Sequence, residues 1–193
     1  MLMQQEFKCE DGGILQEYVG CKIEYDPKVP IMKLTQPVLI KSLVDEFGVN
    51  KMGRESSVPA TAGTVLNRNE EEGTEVDKTR MRSGVGKLLH LVRWSRPEIF
   101  NAVRELTRVT SVASKAHLNA MKKCMTYCVE TKQRGRVIKP DSLWNGKNDF
   151  EFTIHGKSDS DFAKEPIERK SVSGWSVFLN RASIRRSLRC RIV

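Results

Sequence analysis

Asp159 is the side chain with the clearest potential for chemistry. It follows closely on Phe150 to Ile154, where apolar and polar residues alternate as in a half-buried β-strand. Asp161 comes two residues later and would share the same face if the strand continued. One aspartate cannot build a catalytic pair of metal ions, which needs several carboxylates. Glu165 and Glu168 are close in sequence, and a surface loop is the alternative explanation for them.

A second candidate is a polar stripe on a predicted helix. Arg82, Gly86 and His90 recur every four residues, apart from the apolar positions, and Lys87 and Arg93 add cations beside them. A glycine there would let a sugar-phosphate surface approach closely, which predicts contacts with nucleic acid. The alternative is that the glycine permits close helix packing and that the charges form a solvated face. The residue pattern alone favours this alternative.

The charge balance agrees with a polyanionic partner. The formal net charge is +9 and the isoelectric point is near 9.4, and a surplus of Lys and Arg attracts nucleic acid. The last thirteen residues contribute five arginines and no acid, so this tail inflates the total.

Composition indicates a soluble chain. The mean hydropathy is −0.44 with 30% charged residues, and 39% hydrophobic residues suffice for a core. No apolar run approaches the length of a membrane span. The start, Met1 to Glu10, lacks the apolar centre of a secretory signal, so we expect a cytoplasmic or nuclear protein.

The five cysteines are too irregularly spaced for a disulfide framework and are expected to be free thiols. Cys124 and Cys128 would share a helix face, with His117 two turns earlier. A zinc site would need a fourth ligand, so core packing is favoured. The three histidines, His90, His117 and His155, have no serine or cysteine elbow near them, and no Gly-rich phosphate loop appears.

The hydrophobic pattern defines the elements that carry these candidates. Residues 14 to 34 predict a β-hairpin turning at Asp26-Pro27-Lys28, with Tyr18 to Ile23 in its first strand. Thr35 is the expected N-cap of a short amphipathic helix that Gly48 ends. Residues 50 to 78 predict a surface loop.

Three helices and two strands are predicted next. The first helix covers about residues 79 to 94. The second opens with a capping box formed by Ser95 and Glu98, and the third starts at Ser114. After a break at residues 135 to 146, Phe150 to Ile154 and Ser173 to Leu179 predict strands. Two strands cannot make a stable domain alone.

Several short motifs occur in an order that one family shares. They are Tyr18–Glu24, Leu34–Gln36, Arg82–Leu91, Ser95–Ile99, Ser158–Ala163 and Arg169–Gly174. Copia-type retrotransposon polymerases have a Gly-containing strand, Leu-Thr-Gln, a helix R-S-x-V-G-x-L-L-x-L, a helix start R-P-[DE]-I, and later S-D-A-D-W-A and R-K-S-x-S-G. The chain resembles the C-terminal part of such a reverse transcriptase from about residue 7 to 180.

The resemblance implies roles for these residues. The strands near Lys22 would be the end of the palm that holds the primer strand, and the helix containing Gly86 would belong to the thumb. The residue pattern alone favoured helix packing and a solvated face, but the resemblance favours contacts with nucleic acid. The residues concerned are Lys22, Arg82, Gly86, Lys87, His90 and Arg93. Asp159 would be the first ribonuclease H carboxylate, a Mg²⁺ ligand in an intact family member only.

Two departures from the family lead us to expect no catalysis. The paired aspartates of a Y-[VA]-D-D polymerase hairpin would lie before residue 1, and no Asp-Asp dipeptide occurs. From Arg181 onward an Arg-rich sequence replaces the expected Gly-x-Pro-Ile-x-Trp-x-Ser-Lys, as after a frameshift. The partner acids of Asp159 would lie on later elements. No cofactor is expected in the chain itself.

We therefore predict an α+β fragment of a reverse transcriptase and ribonuclease H polyprotein. Residues 1–34 would form palm-end strands, 35–134 a helical thumb and connection region, and 147–193 a truncated ribonuclease H-like start with an aberrant tail. The family activity is RNA-directed DNA synthesis with RNA-strand removal. Residual binding of RNA–DNA hybrid or DNA duplex, or association with intact element polymerase, are the alternatives to a relic without function. No membrane or small-molecule partner is expected.

Overall fold

The computed structural model describes residues 12–26, 28–49, 58–61, 65–68, 72–142, 145, 147, 149–161 and 171–191. These residues form four α-helices, one 3₁₀-helix and seven strands in two sheets, so the predicted α+β class is confirmed. The chain divides into two compact units. The first comprises Met1–Glu24 and Leu34–Gly135, and the second comprises Tyr25–Lys33 and Arg136–Val193.

The hairpin region contains one more turn than the sequence predicted. Strand β1 (Glu17–Tyr18) pairs with β2 (Cys21–Asp26) across a two-residue turn, and β3 (Ile31–Thr35) follows the predicted turn after Asp26. A single strand over Tyr18 to Ile23 is therefore wrong. Val19 and Gly20 both have positive φ, 50° and 69°, which is the conformation of a type I′ hairpin turn. The apolar alternation conceals this turn because its first central residue is valine, an unfavourable residue there.

The helices of the first unit are α1 (Pro37–Phe47), α2 (Glu75–Trp94), α3 (Phe100–Arg108) and α4 (Lys115–Glu130). Their apolar faces enclose one core, whose fully buried members include Leu43, Met81, Leu88, Leu106 and Met121. Gly48 adopts the left-handed conformation after α1 as predicted. None of the described helices is both long enough and apolar enough to cross a bilayer.

Two helix starts were predicted correctly or nearly so. Ser114 caps α4, accepting a hydrogen bond from the His117 amide, as the sequence predicted. Helix α2 begins at Glu75, four residues earlier than predicted. Thr74 and Asp77 form a capping box ahead of the first buried residue, Met81, and the apolar periodicity does not extend over that first turn.

Two predicted caps are wrong. The N-cap of α1 is Gln36 rather than Thr35, and its side chain makes no capping bond. Ser95 and Glu98 form no capping box, because Ser95 is the C-cap of α2 and a 3₁₀-helix occupies Pro97–Ile99 before α3. The Gln36 and Ser95 side chains instead hydrogen-bond each other, 2.8 Å apart.

Arg96 closes the helical core from the short segment between α2 and α3. Its side chain is wholly buried, and its guanidinium donates to the carbonyl oxygens of Cys128 and Thr131 at 3.3 and 3.2 Å. It also donates to the Thr131 hydroxyl at 2.6 Å and to Glu98 at 2.6 Å. The last carbonyls of a helix lack intrahelical donors and carry partial negative charge. Arg96 therefore supplies both the missing donors and the complementary charge at the end of α4.

The second unit includes the short strand β4 (Arg136–Ile138). It also contains an antiparallel sheet of β5 (Ile154–Asp161), β6 (Ser171–Leu179) and β7 (Ala182–Arg191), in that order. The strand predicted from Phe150 begins at Ile154, so its position is wrong. The Arg-rich tail, for which the sequence predicted no strand, forms the third strand. Backbone pairing along β7 uses main-chain groups that every non-proline residue supplies, and the side-chain pattern is therefore a poor guide to it.

Asn180 fixes the turn between β6 and β7. Asn180 and Arg181 both have positive φ, 45° and 62°, and asparagine tolerates this conformation. The Asn180 side chain accepts from the Thr153 amide at 2.9 Å and donates to the Ser142 carbonyl at 3.3 Å. Its backbone carbonyl accepts from the Asp141 amide at 2.9 Å. One side chain thus holds the turn against two preceding segments of its unit.

Replacing Arg96 tests its role in the helical core. Arg96→Ala removes the guanidinium donors of the Cys128 carbonyl and the Thr131 hydroxyl, while the Thr131 carbonyl keeps its bond from the Arg134 amide at 2.8 Å. We expect about 3 kcal/mol lower stability. Arg96→Lys keeps the charge but not the planar fork, so its loss should be intermediate. Urea unfolding followed by circular dichroism measures both. Equal stability of Arg96→Ala and the unmodified chain would contradict this account.

Candidate nucleic-acid interface

Helix α2 has a buried face and an exposed stripe. Its buried residues are Met81, Gly84, Val85, Leu88, Leu91 and Val92. Arg82, Gly86, Leu89 and Arg93 are exposed and follow one another at intervals of four, three and four residues, so they lie along one side of the helix. These four residues are called the α2 stripe below. Three of them, Arg82, Gly86 and Arg93, were predicted from the sequence.

Gly86 faces open space. A Cβ atom built at this position would meet nothing within 4 Å, whereas one at Gly84 would lie 2.7 Å from Cε of Met125. Close packing inside the helical unit therefore explains Gly84 and not Gly86. A glycine within an exposed helix costs about 0.5–1 kcal/mol relative to alanine. Among the described residues no internal contact offsets this cost, so packing against them does not explain Gly86.

The tight turn between β1 and β2 lies beside the end of the α2 stripe. The Tyr18 ring, which precedes the turn, meets the Trp94 ring edge-on with 6.1 Å between centroids. The Arg93 guanidinium carbon lies 5.7 Å from the Trp94 ring centroid. Val19, at the tip of the turn, is 47% exposed. The turn and the Arg93 end of the stripe therefore belong to one surface of the first unit.

Two predicted cations lie apart from this surface. The Lys87 ammonium contacts a Glu46 carboxylate oxygen at 2.8 Å and donates to the Ser42 hydroxyl at 3.1 Å, which ties α2 to α1. Lys22 is exposed and pairs with Glu24 at 3.1 Å. It alternates with Cys21, whose Cα partner across the hairpin is Tyr18, and so lies on the face opposite Tyr18. The structure does not bring either lysine into the α2 stripe.

His90 lies half-buried next to Gly86 and is held by Gln36 and Ser95, two residues that were not predicted to belong to the interface. Its Nδ1 is 2.7 Å from the amide nitrogen of Gln36, and the Gln36 oxygen accepts from the Ser95 hydroxyl at 2.8 Å. These hydrogen bonds connect three of the sequence motifs, Leu34–Gln36, Arg82–Leu91 and Ser95–Ile99. The order of the motifs could have suggested proximity, but no local pattern indicates which polar groups pair over separations of more than fifty residues.

Asp159 lies in β5 opposite Gly174, is exposed, and accepts a hydrogen bond from the Ser160 amide at 2.9 Å. The side chain of Asp161, together with Glu165 and Glu168, lies outside the described residues. Among the residues that are described, no three His, Cys, Asp or Glu side chains are close enough to hold a metal ion. The role of Asp159 as a Mg²⁺ ligand in an intact family member stays a prediction.

The cysteine and histidine group on α4 belongs to the core. Cys124 and Cys128 are buried free thiols. A hydrogen bond with Cys128, together with burial, raises the pKa of the Cys124 thiol well above its usual range. His117 is buried, accepts from the Ser114 amide at Nδ1 and contacts the Asn67 carbonyl through Nε2. A Cys124 thiol held protonated and an imidazole with both nitrogens engaged are poor zinc ligands.

Curated proteins provide relatives for most of the chain. The Pol polyprotein from tobacco (Nicotiana tabacum) transposon TNT 1-94, described as retrovirus-related, is 26% identical over 179 residues, which is 90% of this chain and 13% of the relative. The chain is similar to Pol polyproteins of copia-type plant retrotransposons. This similarity confirms the resemblance that the motifs indicated.

Two further relatives come from Arabidopsis thaliana. The retrovirus-related Pol polyproteins from transposons RE1 and RE2 are 30% and 29% identical over 108 residues, 55% of this chain. The chain spans only 7% of the length of each. No protein-family model matches the chain. No solved structure matches it either.

The exposure of Gly86 gives a stability prediction. Gly86→Ala should raise the free energy of unfolding by about 0.5–1 kcal/mol, because alanine favours the helix and its methyl group meets nothing. Gly84→Ala gains the same helix propensity but must displace the buried Met121 and Met125 side chains. Thermal unfolding should therefore rank Gly86→Ala above Gly84→Ala. The reverse order would contradict the placement of the two glycines.

The thiols give a second prediction. Burial, with a smaller contribution from Glu17, also raises the pKa of Cys21. In a Cys9→Ser/Cys190→Ser variant, the three remaining cysteines should resist iodoacetamide at pH 8 and react fully in urea, because all three are buried. The raised pKa of Cys21 and Cys124 also keeps these two out of the reactive thiolate form. Mass spectrometry counts the labels. Rapid labelling of the folded variant at Cys124 or Cys128 would show that these thiols are accessible.

Proposed function

We propose that this chain is a piece of the reverse transcriptase and ribonuclease H part of a retrotransposon Pol polyprotein. In this proposal it comprises the end of the palm, the thumb and connection, and the first ribonuclease H strands. Its own activity would be to hold an RNA–DNA hybrid or DNA duplex against the α2 stripe. Support comes from the motif order and from the relatives, which are Pol polyproteins.

The observation that carries the binding proposal is the open space at Gly86. A helix segment without a side chain lets another surface come close to its backbone. Arg82 and Arg93 flank that segment and are eleven residues apart, or about 16 Å along the helix axis. This separation is comparable with the width of a nucleic-acid groove, about 12 Å for the major groove of B-DNA. Two arginines at such positions can contact phosphates on either side of the gap.

The β1–β2 turn extends the proposed surface. Val19 is β-branched with φ of 50°, a conformation that costs free energy and that recurs at binding sites. The turn presents a small exposed tip, Val19–Gly20, beside Trp94 and Arg93. In our proposal this tip contacts the same duplex near the end of one strand. Lys22 points from the other face of the hairpin, and a contact from it would reach a different part of the duplex.

Catalysis is not part of the proposal. The sequence contains no Asp-Asp dipeptide for polymerisation, and a two-metal site needs more carboxylates than Asp159 supplies. Mg²⁺ would accordingly be a cofactor of an intact family member rather than of this chain. Association with intact element polymerase remains a further proposal, which co-purification of the two proteins would test.

Salt-dependent binding tests the proposed interface. Titrations of the full chain with an RNA–DNA hybrid at rising salt should give a linear fall of log affinity with log salt concentration. Arg82→Ala and Arg93→Ala should each weaken binding and reduce the slope by about 1. Arg80→Ala is the matched control, because Arg80 is an exposed arginine of α2 that stacks on Phe47 at 5.8 Å, outside the stripe.

The controls decide between a specific surface and general charge. If Arg80→Ala lowers the affinity and the slope as much as Arg82→Ala, the basic character of the chain explains binding without the α2 stripe. Affinity that does not change with salt would contradict the proposal altogether. Lys22→Ala, measured in the same way, determines whether the opposite face of the hairpin contributes.

A further inference from the structure

We infer that Gln36 and Ser95 are positioning residues that hold His90 with its Nε2 proton directed to an acceptor on the bound duplex. The inference rests on the proposed function and assigns new roles to two buried side chains. It would make His90 a contact residue through one specific edge of its ring. Gln36 and Ser95 would act on the duplex only through His90.

The hydrogen-bond chain fixes which nitrogen of His90 carries the proton. Ser95 donates its hydroxyl proton to the Gln36 oxygen, so the opposite end of the Gln36 amide is the NH₂ group. That group can only donate, and it lies 2.7 Å from Nδ1 of His90. Nδ1 must therefore present its lone pair. A neutral imidazole with Nδ1 as acceptor carries its proton on Nε2.

The hydrogen bonds between Ser95, Gln36 and His90 lie in buried surroundings. Gln36 and Ser95 are each only 1% exposed, so water does not compete for their polar groups. Gln36 immediately precedes α1, and Ser95 immediately follows α2. The backbone on either side of the hydrogen bond between them is therefore held by a helix. In the orientation that the structure has, the Gln36 oxygen faces Ser95 and its NH₂ group faces His90, so both ends of this buried amide are paired.

The other edge of the His90 ring remains available. Among the described residues, Nε2 of His90 makes no hydrogen bond. His90 is one turn after Gly86, on the neighbouring part of the helix surface, so its ring borders the space that the glycine leaves open. A proton donor at the border of this space matches the acceptors that a duplex presents, which are phosphate oxygens and the base atoms of a groove.

Two substitutions at position 90 separate the two edges of the ring. Asn places an oxygen near the Nδ1 position, so His90→Asn can still accept from Gln36 but has no donor at the ε position. Gln places an NH₂ group near the ε position, so His90→Gln keeps a donor towards the duplex but loses the acceptor for Gln36. Each variant thus retains one function of the imidazole.

We expect one variant to lose affinity for the hybrid and the other to lose stability. His90→Asn should keep the urea midpoint of the unmodified chain and bind the RNA–DNA hybrid about tenfold more weakly, the effect of one hydrogen bond of about 1.4 kcal/mol. His90→Gln should lower the midpoint and keep its affinity within about threefold under conditions where it is folded. A residue with a merely structural role would lose affinity only together with stability. If His90→Gln binds more weakly than His90→Asn, the inference is overturned.

A second measurement requires no nucleic acid. Nitrogen-15 NMR of the free chain reports the protonated ring nitrogen, and we expect the His90 proton on Nε2. Ser95→Ala should convert this into a mixture of tautomers and lower hybrid affinity, while His117, held by its own partners, serves as the internal reference. A proton on Nδ1 of His90 in the unmodified chain would overturn the positioning inference even if the hybrid binds. Failure of the unmodified chain to bind hybrid would instead overturn the proposed function.

Discussion

The helical unit depends on the hydrogen bonds between one buried cation, Arg96, and the C-terminal end of α4. Arg96 has no exposed surface, and its carboxylate partner Glu98 has a side chain that is 41% exposed. A buried charge with one weakly enclosed partner would ordinarily be costly. Here most of the compensation comes from neutral groups, the carbonyls of Cys128 and Thr131, and from the negative end of α4. The guanidinium also lies 5.3 Å from the Tyr127 ring centroid. Position and direction of α4 are thereby set relative to the segment that joins α2 to α3.

Three of the six motifs behind the family resemblance help to connect the helices of this unit. Gln36 from the Leu-Thr-Gln motif, His90 from the long helix and Ser95 before the Arg-Pro motif share one hydrogen-bond chain. A motif can therefore persist in a family because it holds helices together, without touching any ligand. Residues that make no such internal contact are the better candidates for binding a ligand. Gly86 is the clearest of them, because a Cβ atom there would meet nothing within 4 Å.

Much of the helical layout could be predicted from sequence because apolar periodicity reports burial, and α1, α2 and α4 are strongly periodic. The Val19–Gly20 turn could not, since valine is disfavoured at positive φ and its presence there depends on the tertiary packing of Tyr18. Sequence predicted a stripe of Arg82, Gly86 and His90 with Lys87 and Arg93 beside it. In the structure the exposed side of α2 carries Arg82, Gly86, Leu89 and Arg93, and His90 is half-buried. Sequence could not exclude Lys87, because the ion pair with Glu46 joins residues far apart in the chain. The partners of long-range polar contacts follow from the fold and not from local spacing.

The three-stranded sheet has one more consequence, which concerns association between molecules. Strand β7 lies at the edge of the described sheet. An edge strand exposes unpaired backbone groups that can recruit another chain, and proteins commonly oppose this with charged residues. Four of the ten residues of β7 are arginine. Whatever its origin, the backbone of this sequence completes the pairing of β6, and its arginine content is of the kind that disfavours edge-to-edge association.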